Sequence, residues 1–144
     1  MIIDTTYLLP LVGISVDKDL FLTLEKSNSS FSLDDTLVSE ISLFEIQAKC
    51  AKLSISHTVV NGAIGEIVSN FEIVPFNESR VIEVSFRLRE KLPDYIDCVI
   101  LSSAISRRKD LLTEDNKILA LKEYVSKEYG ISINHLSQIV EQKA

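Results

Sequence analysis

The sequence predicts an α/β fold, a three-layer α/β/α sandwich around a short, mainly parallel central sheet. Three observations lead there. Short apolar runs such as Ile2-Ile3 and Leu111-Leu112 end on helix-capping residue types and feed longer stretches of helical periodicity. Strands that alternate with helices in this way are joined by crossovers, which align them in parallel. One segment, residues 95–107, is apolar almost all round, as a helix covered on every side must be. The 144 residues, 46% hydrophobic and 25% charged, with six Phe and four Tyr, suit a single domain over 1–144 with one packed core.

The elements follow in order. Met1-Ile2-Ile3 reads as a buried strand that stops at Asp4-Thr5-Thr6 and feeds a helix. Pro10 belongs in the first turns of that helix, where its missing N–H costs least. A second helix over 17–26 turns Leu20, Phe21 and Leu24 inward. Residues 26–31, containing Ser27-Asn28-Ser29-Ser30, form a loop too short to divide domains. A short strand over 36–39 precedes a helix over 40–53. At about 100° per residue, Leu43, Ile46, Cys50 and Leu53 share the inner face of that helix. Residues 57–70 form the next helix, with Val60, Ile64, Ile67 and Val68 inward. A strand over 71–76 is closed by Pro75, and a helix over 79–91 exposes Arg80, Arg87, Arg89 and Lys91. Pro93-Asp94 introduces the apolar helix 95–107. Leu111-Leu112-Thr113 is a strand ending at Glu114-Asp115-Asn116. An amphipathic helix over 117–128 stops at Gly130, which suits a left-handed cap. Residues 131–133 make a last strand, and a terminal helix starts at Asn134.

Composition bounds the function. A net charge of -6 excludes a protein that grips polyanions by bulk charge, although a local basic patch or a metal can still hold nucleic acid. Cys50 and Cys98 are too far apart for a disulfide framework or a cysteine zinc site, and read as reduced core residues. The start of the chain lacks the basic segment of a signal peptide. The longest uncharged runs, 5–16 and 53–65, fall short of the ~20 apolar residues of a membrane crossing. The expectation is a soluble cytoplasmic domain with no membrane partner.

Four acids then stand out. Asp4 and Asp115 each follow a strand, so they project toward one sheet edge if those strands are neighbours. Taken singly, each reads first as a helix N-cap, since Asp is among the best capping residues. Asp97 lies in the first turn of its helix, three residues after Asp94, where the helix dipole favours a carboxylate. It also shares a face with Leu101 and Ala104, and a carboxylate buried there needs a partner or a cation. Glu45 has Lys49 one turn on, a favourable i,i+4 pair. If the four converge they cannot all stay ionised without help. The natural compensator is a divalent cation, and an all-oxygen site suits Mg²⁺ or Mn²⁺. Other chemistries lack their parts. His57 and His135 have no Cys, Asp or Glu at ligand spacing, Gly62-Ala63-Ile64-Gly65 lacks the Lys-Ser/Thr of a P-loop, and no G-x-S-x-G elbow is present.

The order of these acids resembles the PIN-domain nucleases, and within them the VapC-like toxins of toxin–antitoxin pairs. The matching pieces are Ile2-Ile3-Asp4-Thr5-Thr6, Ser39-Glu40-Ile41-Ser42-Leu43-Phe44-Glu45, Ile96-Asp97-Cys98-Val99-Ile100-Leu101-Ser102-Ser103-Ala104 and Leu111-Leu112-Thr113-Glu114-Asp115. The resemblance spans the chain and implies a PIN-like fold and a Mg²⁺- or Mn²⁺-dependent endoribonuclease. In that activity a metal-held water attacks the phosphodiester in line, leaving 5′-phosphate and 3′-hydroxyl ends. Asp4, Glu45, Asp97 and Asp115 would be the catalytic and metal-binding acids. Thr6 and Thr113 would steady Asp4 and Asp115 respectively. Asp94 would bind the metal indirectly or cap its helix. The implied partners are an RNA substrate, a second copy in a homodimer and a small antitoxin that blocks the acidic pocket. Lys117-Ile118 stands where the family often has an aromatic. Arg107-Arg108-Lys109 and the Arg87, Arg89, Lys91 face are candidate RNA contacts, or else solvated helix faces. A housekeeping RNA-processing nuclease without an antitoxin is the alternative. A receiver-type phosphoacceptor domain ranks lower, because only Asp4 follows the first strand.

Overall fold

The two-residue alternation of the strands sets the layers. In β1 (Ile2–Ile3) and β4 (Leu111–Leu112), one residue of each pair faces each side of the sheet, and all four are fully buried. The computed structural model describes residues 1–27 and 31–141, so half of the loop expected at 26–31 falls outside the described residues. A 3-10 helix, Thr5–Val12, follows β1. Then come α1 (Leu20–Lys26), a 3-10 turn at Leu33–Asp35, β2 (Leu37–Ser39), α2 (Glu40–Lys52), α3 (His57–Asn70), β3 (Glu72–Val74), α4 (Ser79–Leu88) and α5 (Tyr95–Arg107). After β4 the chain forms α6 (Asn116–Leu119), α7 (Lys122–Tyr129), β5 (Ile133–Asn134) and α8 (Leu136–Glu141).

The five strands make one parallel sheet in the order β3-β2-β1-β4-β5. On one face Ile2, Leu37, Val74, Leu111 and Ile133 pack against α4, α5, α6 and α7 through Val81, Val84, Leu88, Ile100, Leu101, Ile118 and Val125. On the other, Ile3, Val38 and Leu112 meet Tyr7, Leu8, Leu20, Ile46, Cys50, Ala63, Ile67 and Leu136. This is the three-layer sandwich that the sequence predicts. Small buried hydroxyls close the α5 side. Ser103 Oγ donates to Val99 O at 2.8 Å and lies 3.0 Å from Ser39 Oγ, while Ser85 and Ser102 pair at 3.0 Å.

Several details differ from the sequence expectations, each for a local reason. The first helix is 3-10 rather than α, and Pro10 sits in its last turn, before Gly13 ends it at φ 80°. The α1 helix starts at Leu20, not 17, because Asp19 is its N-cap and accepts from Leu22 N at 3.0 Å, leaving Phe21 half-buried. Leu53 is 54% exposed, because α2 ends at Lys52 and Leu53 is already outside the helix. Val68 is 52% exposed, because α3 turns Ala63 and Ile67 to the core and leaves Val68 on its flank. The α4 helix ends at Leu88, short of Lys91. The helix expected over 117–128 is two helices, broken at Ala120-Leu121, with Gly130 capping the second at φ 74°. The last strand is Ile133–Asn134, not 131–133. Among the described residues no helix is long and apolar enough to cross a membrane.

Strand order decides where a site can form. From β1 the chain moves out to β2 and β3, then crosses to the other side of β1 for β4 and β5. The carboxyl ends beside β1 are therefore the switch point, where ligands gather in open parallel sheets.

Candidate active site

Asp4, the first residue beyond β1, is 7% exposed and both its oxygens are engaged. Oδ1 accepts from Thr5 N at 2.7 Å and Oδ2 accepts from the Thr113 hydroxyl at 2.6 Å. Burial pushes the Asp4 carboxyl above the usual range; these two hydrogen bonds oppose the rise and the charge of Asp115 adds to it. Thr113 is fully buried, directly after β4, and its Oγ also accepts from Asp115 N at 3.0 Å. One hydroxyl thus ties the end of β1 to the end of β4.

Glu45 reaches the same place from α2. Its Oε1 lies 2.5 Å from the Thr5 hydroxyl, which is also 2.8 Å from Ser42 Oγ. Thr5 has one proton to give, and the carboxylate is the stronger acceptor. Burial raises the Glu45 carboxyl; the Thr5 bond and Lys49 oppose this, while Asp4 and Asp94 reinforce it.

Asp97 enters from the first turn of α5, half-buried, and its carboxylate has no hydrogen bond within the described structure. Burial first, then the charges of Asp115, Asp94, Asp4 and Glu45, push its carboxyl up to about 7. Four other acids thus act on this one carboxylate. Asp115 caps α6, accepting on Oδ1 from Lys117 N at 2.8 Å and Ile118 N at 3.2 Å. Asp94 caps α5, accepting from Ile96 N at 2.8 Å.

Asp4, Glu45, Asp94, Asp97 and Asp115 therefore line one cleft of about 740 Å³ at the carboxyl ends of the strands. Capping and convergence are not alternatives here, since three of these acids cap a helix and face the cleft together. Thr6 lines the cleft as well, but it is exposed and makes no hydrogen bond to Asp4 within the described structure; Thr5 does that work. Thr113 holds Asp4 and only the backbone of Asp115. Arg107, Arg108 and Lys109 lie at the far end of α5 from Asp97, about 15 Å along the helix axis. Arg107 is there engaged in a two-pronged ion pair with Glu78, both bonds 2.7 Å.

The sequence did not single out Glu114, Thr5, Phe44, Lys49 and Lys52 as parts of this cleft. Glu114 accepts from the buried Tyr7 hydroxyl at 2.6 Å and from Leu136 N at 2.9 Å. Its signal was present in the pattern: it continues the alternation from Leu112, toward the layer that holds Tyr7.

Among the described residues no three His, Cys, Asp or Glu side chains stand in a geometry that holds a metal ion as placed. Asp4 and Asp115 are turned to backbone N–H groups, so joint ligation requires their outer lone pairs or a rotation of Asp97 and Asp115. The chemistry of the donor set does fit a hard divalent cation. The donors are carboxylate oxygens without thiol or imidazole, and burial, reinforced by the charge of their neighbours, raises the proton affinity of three of them.

A parallel sandwich that delivers acids from β1, α2, α5 and the end of β4 to one crevice is the layout of a PIN domain, and residues 1–124 match that family. The chain belongs to the PIN domain family, the nuclease family that its motifs resemble, and this sets aside a receiver-type domain. No curated protein matches it. Solved structures share the fold. A toxin–antitoxin complex from Klebsiella pneumoniae is 22% identical with a TM-score of 0.61, covering 83% of this chain and 89% of the other. FitAcB from Neisseria gonorrhoeae is 18% identical at 0.61, covering 92% and 94%. VapBC2 from Rickettsia felis, bound to a DNA fragment from its promoter, is 20% identical at 0.59, covering 93% and 96%.

Proposed function

We propose that this chain is a divalent-metal-dependent endoribonuclease and the toxin of a toxin–antitoxin pair. The observation that carries the reading is the convergence of Asp4, Glu45, Asp97 and Asp115 on one cleft at the switch point of a PIN fold. Asp4, Asp97 and Asp115 would hold Mg²⁺ or Mn²⁺, with Glu45 and Asp94 at the periphery. When bound, such an ion supplies an ionisable water and a Lewis acid for in-line attack on a phosphodiester.

The chain's own residues prepare that site. Thr113 and the Thr5 N–H fix both oxygens of Asp4, so its remaining lone pairs point at a defined spot. Thr5 orients Glu45 through its hydroxyl, and the start of α6 orients Asp115. Asp97 has no such bond, so it is the acid free to turn toward a ligand. With a carboxyl near 7 it exchanges a proton on its Oδ atoms in the neutral range.

The toxin role is supported by the fold shared with the toxin–antitoxin complexes above. An antitoxin would silence the cleft by placing a cationic side chain among its acids. Ile82, Phe86 and Tyr95 on the outer face of α4 and α5 are 42%, 68% and 42% exposed, and offer apolar surface to a second copy in a homodimer. Purified protein should cleave RNA with Mg²⁺ or Mn²⁺, and Asp4→Asn and Asp97→Asn should each lower the rate at least about a hundredfold. Cleavage retained by both variants overturns the reading of the site. Growth arrest on expression, relieved by a neighbouring small open reading frame, separates a toxin from a housekeeping nuclease.

A further inference from the structure

An acidic cleft must still attract a polyanion, and the basic run expected to do so faces the wrong end of the sheet. The cleft does contain cations. Lys49 and Lys52 of α2 both line it, both are exposed, and neither forms a salt bridge within the described structure. Arg80, Arg87 and Arg107, by contrast, are all held by glutamates. Phe44 lines the same cleft and is 60% exposed, a costly position for a phenyl ring without a partner.

Helix geometry arranges these residues. At about 100° per residue, Phe44, Ala48, Lys52, Glu45 and Lys49 fall within an arc of roughly 140°, so they form one stripe along α2. The stripe runs about 12 Å from Phe44 to Lys52. It begins beside Glu45, at the acid group, and leads away from it. Ala48, exposed in the middle, keeps the helix surface low between the ring and the ammonium groups. A ring for a base and two ammonium groups for successive phosphates are the parts of a single-strand binding track.

We propose that the Phe44, Lys49 and Lys52 stripe of α2 carries the single-stranded RNA substrate on one side of the scissile bond. The lysines bind its phosphates and Phe44 stacks a base next to the cleft. The identity of the strand as RNA rests on the nuclease reading above.

The test measures binding apart from cleavage. Anisotropy of a short labelled single-stranded RNA of mixed sequence is titrated with the full chain in EDTA across a salt series. The Lys49→Gln/Lys52→Gln double variant should flatten the slope of log affinity against log salt by about 1.4, or about 0.7 per lost phosphate contact. Phe44→Ala should weaken binding about five- to hundredfold without changing the slope. Lys127→Gln, an exposed lysine on α7, should change neither, and melting curves should show all variants folded. The proposal is overturned if the double variant binds with unchanged slope, if Lys127→Gln flattens it equally, or if the unsubstituted chain binds no RNA. Cleavage by the unsubstituted chain together with α2-independent binding would overturn the track alone and leave the stripe to a protein partner. Absent cleavage with α2-dependent binding would overturn the nuclease reading and support the track.

Discussion

Asp97 is the acid of the cleft on which burial and all four acidic neighbours act in the same direction. Its carboxyl, raised from 3.8 to about 7 by burial and by its acidic neighbours, keeps a proton in the folded chain that the unfolded chain has already released. Between those two values the folded state binds more protons, so this residue's contribution to stability falls as pH rises and is lowest above about 7. Asp97→Asn in EDTA should therefore melt several degrees above the parent chain at pH 8, with the gap closing toward pH 4. A gap of equal size at both ends would show that the charge is not the cause. The sequence showed Asp97 plainly, as a carboxylate on an otherwise apolar helix. It did not separate Thr5 from Thr6. Which of two adjacent threonines turns inward depends on the first turn being 3-10, and no periodic pattern in eight residues records that.

At the scale of elements, α5 is the best-read part of the chain, with the observed bounds Tyr95–Arg107 equal to those expected. Its ends carry strong local signals, and its apolar pattern persists over three turns. The weaker expectations share a cause. Leu53 and Val68 are apolar residues at helix margins, where periodicity permits burial but tertiary neighbours decide it. The break between α6 and α7 lies in a continuous amphipathic run, and nothing in the side-chain pattern marks it. Strand order was beyond reach, because strands of two or three residues carry no register of their own. The caps are firmer ground. Gly130 ends α7 at φ 74° with open space around an added Cβ, so Gly130→Ala meets only the backbone penalty of the left-handed region. That substitution should cost about 1–2 kcal/mol and lower Tm by several degrees in calorimetry. A shift below one degree would mean that the turn relaxes freely.

For the molecule as a whole, six acids around one cleft oppose folding unless a cation joins them. Mn²⁺ or Mg²⁺ at a hundredfold excess over its dissociation constant should stabilise the chain by about 2.7 kcal/mol, visible as a rise in Tm. The Asp4→Asn/Asp97→Asn variant should show no such rise, and an equal response in both proteins would place the ion elsewhere. The sequence supported the convergence of the acids through their order along the chain and, for Asp4 and Asp115, through their place after strands. Their meeting depends on β4 lying beside β1, a pairing that spans most of the chain.

The hydrogen bond from Thr113 to Asp4 closes a loop of 109 residues. Asp4 is therefore made well before its partner hydroxyl and Asp115, which follow it by more than a hundred residues. Contacts this distant along the chain also form slowly once both ends are available. A form of the chain that ends before β4 therefore lacks both Asp115 and the hydroxyl that holds Asp4, and cannot assemble the acid group.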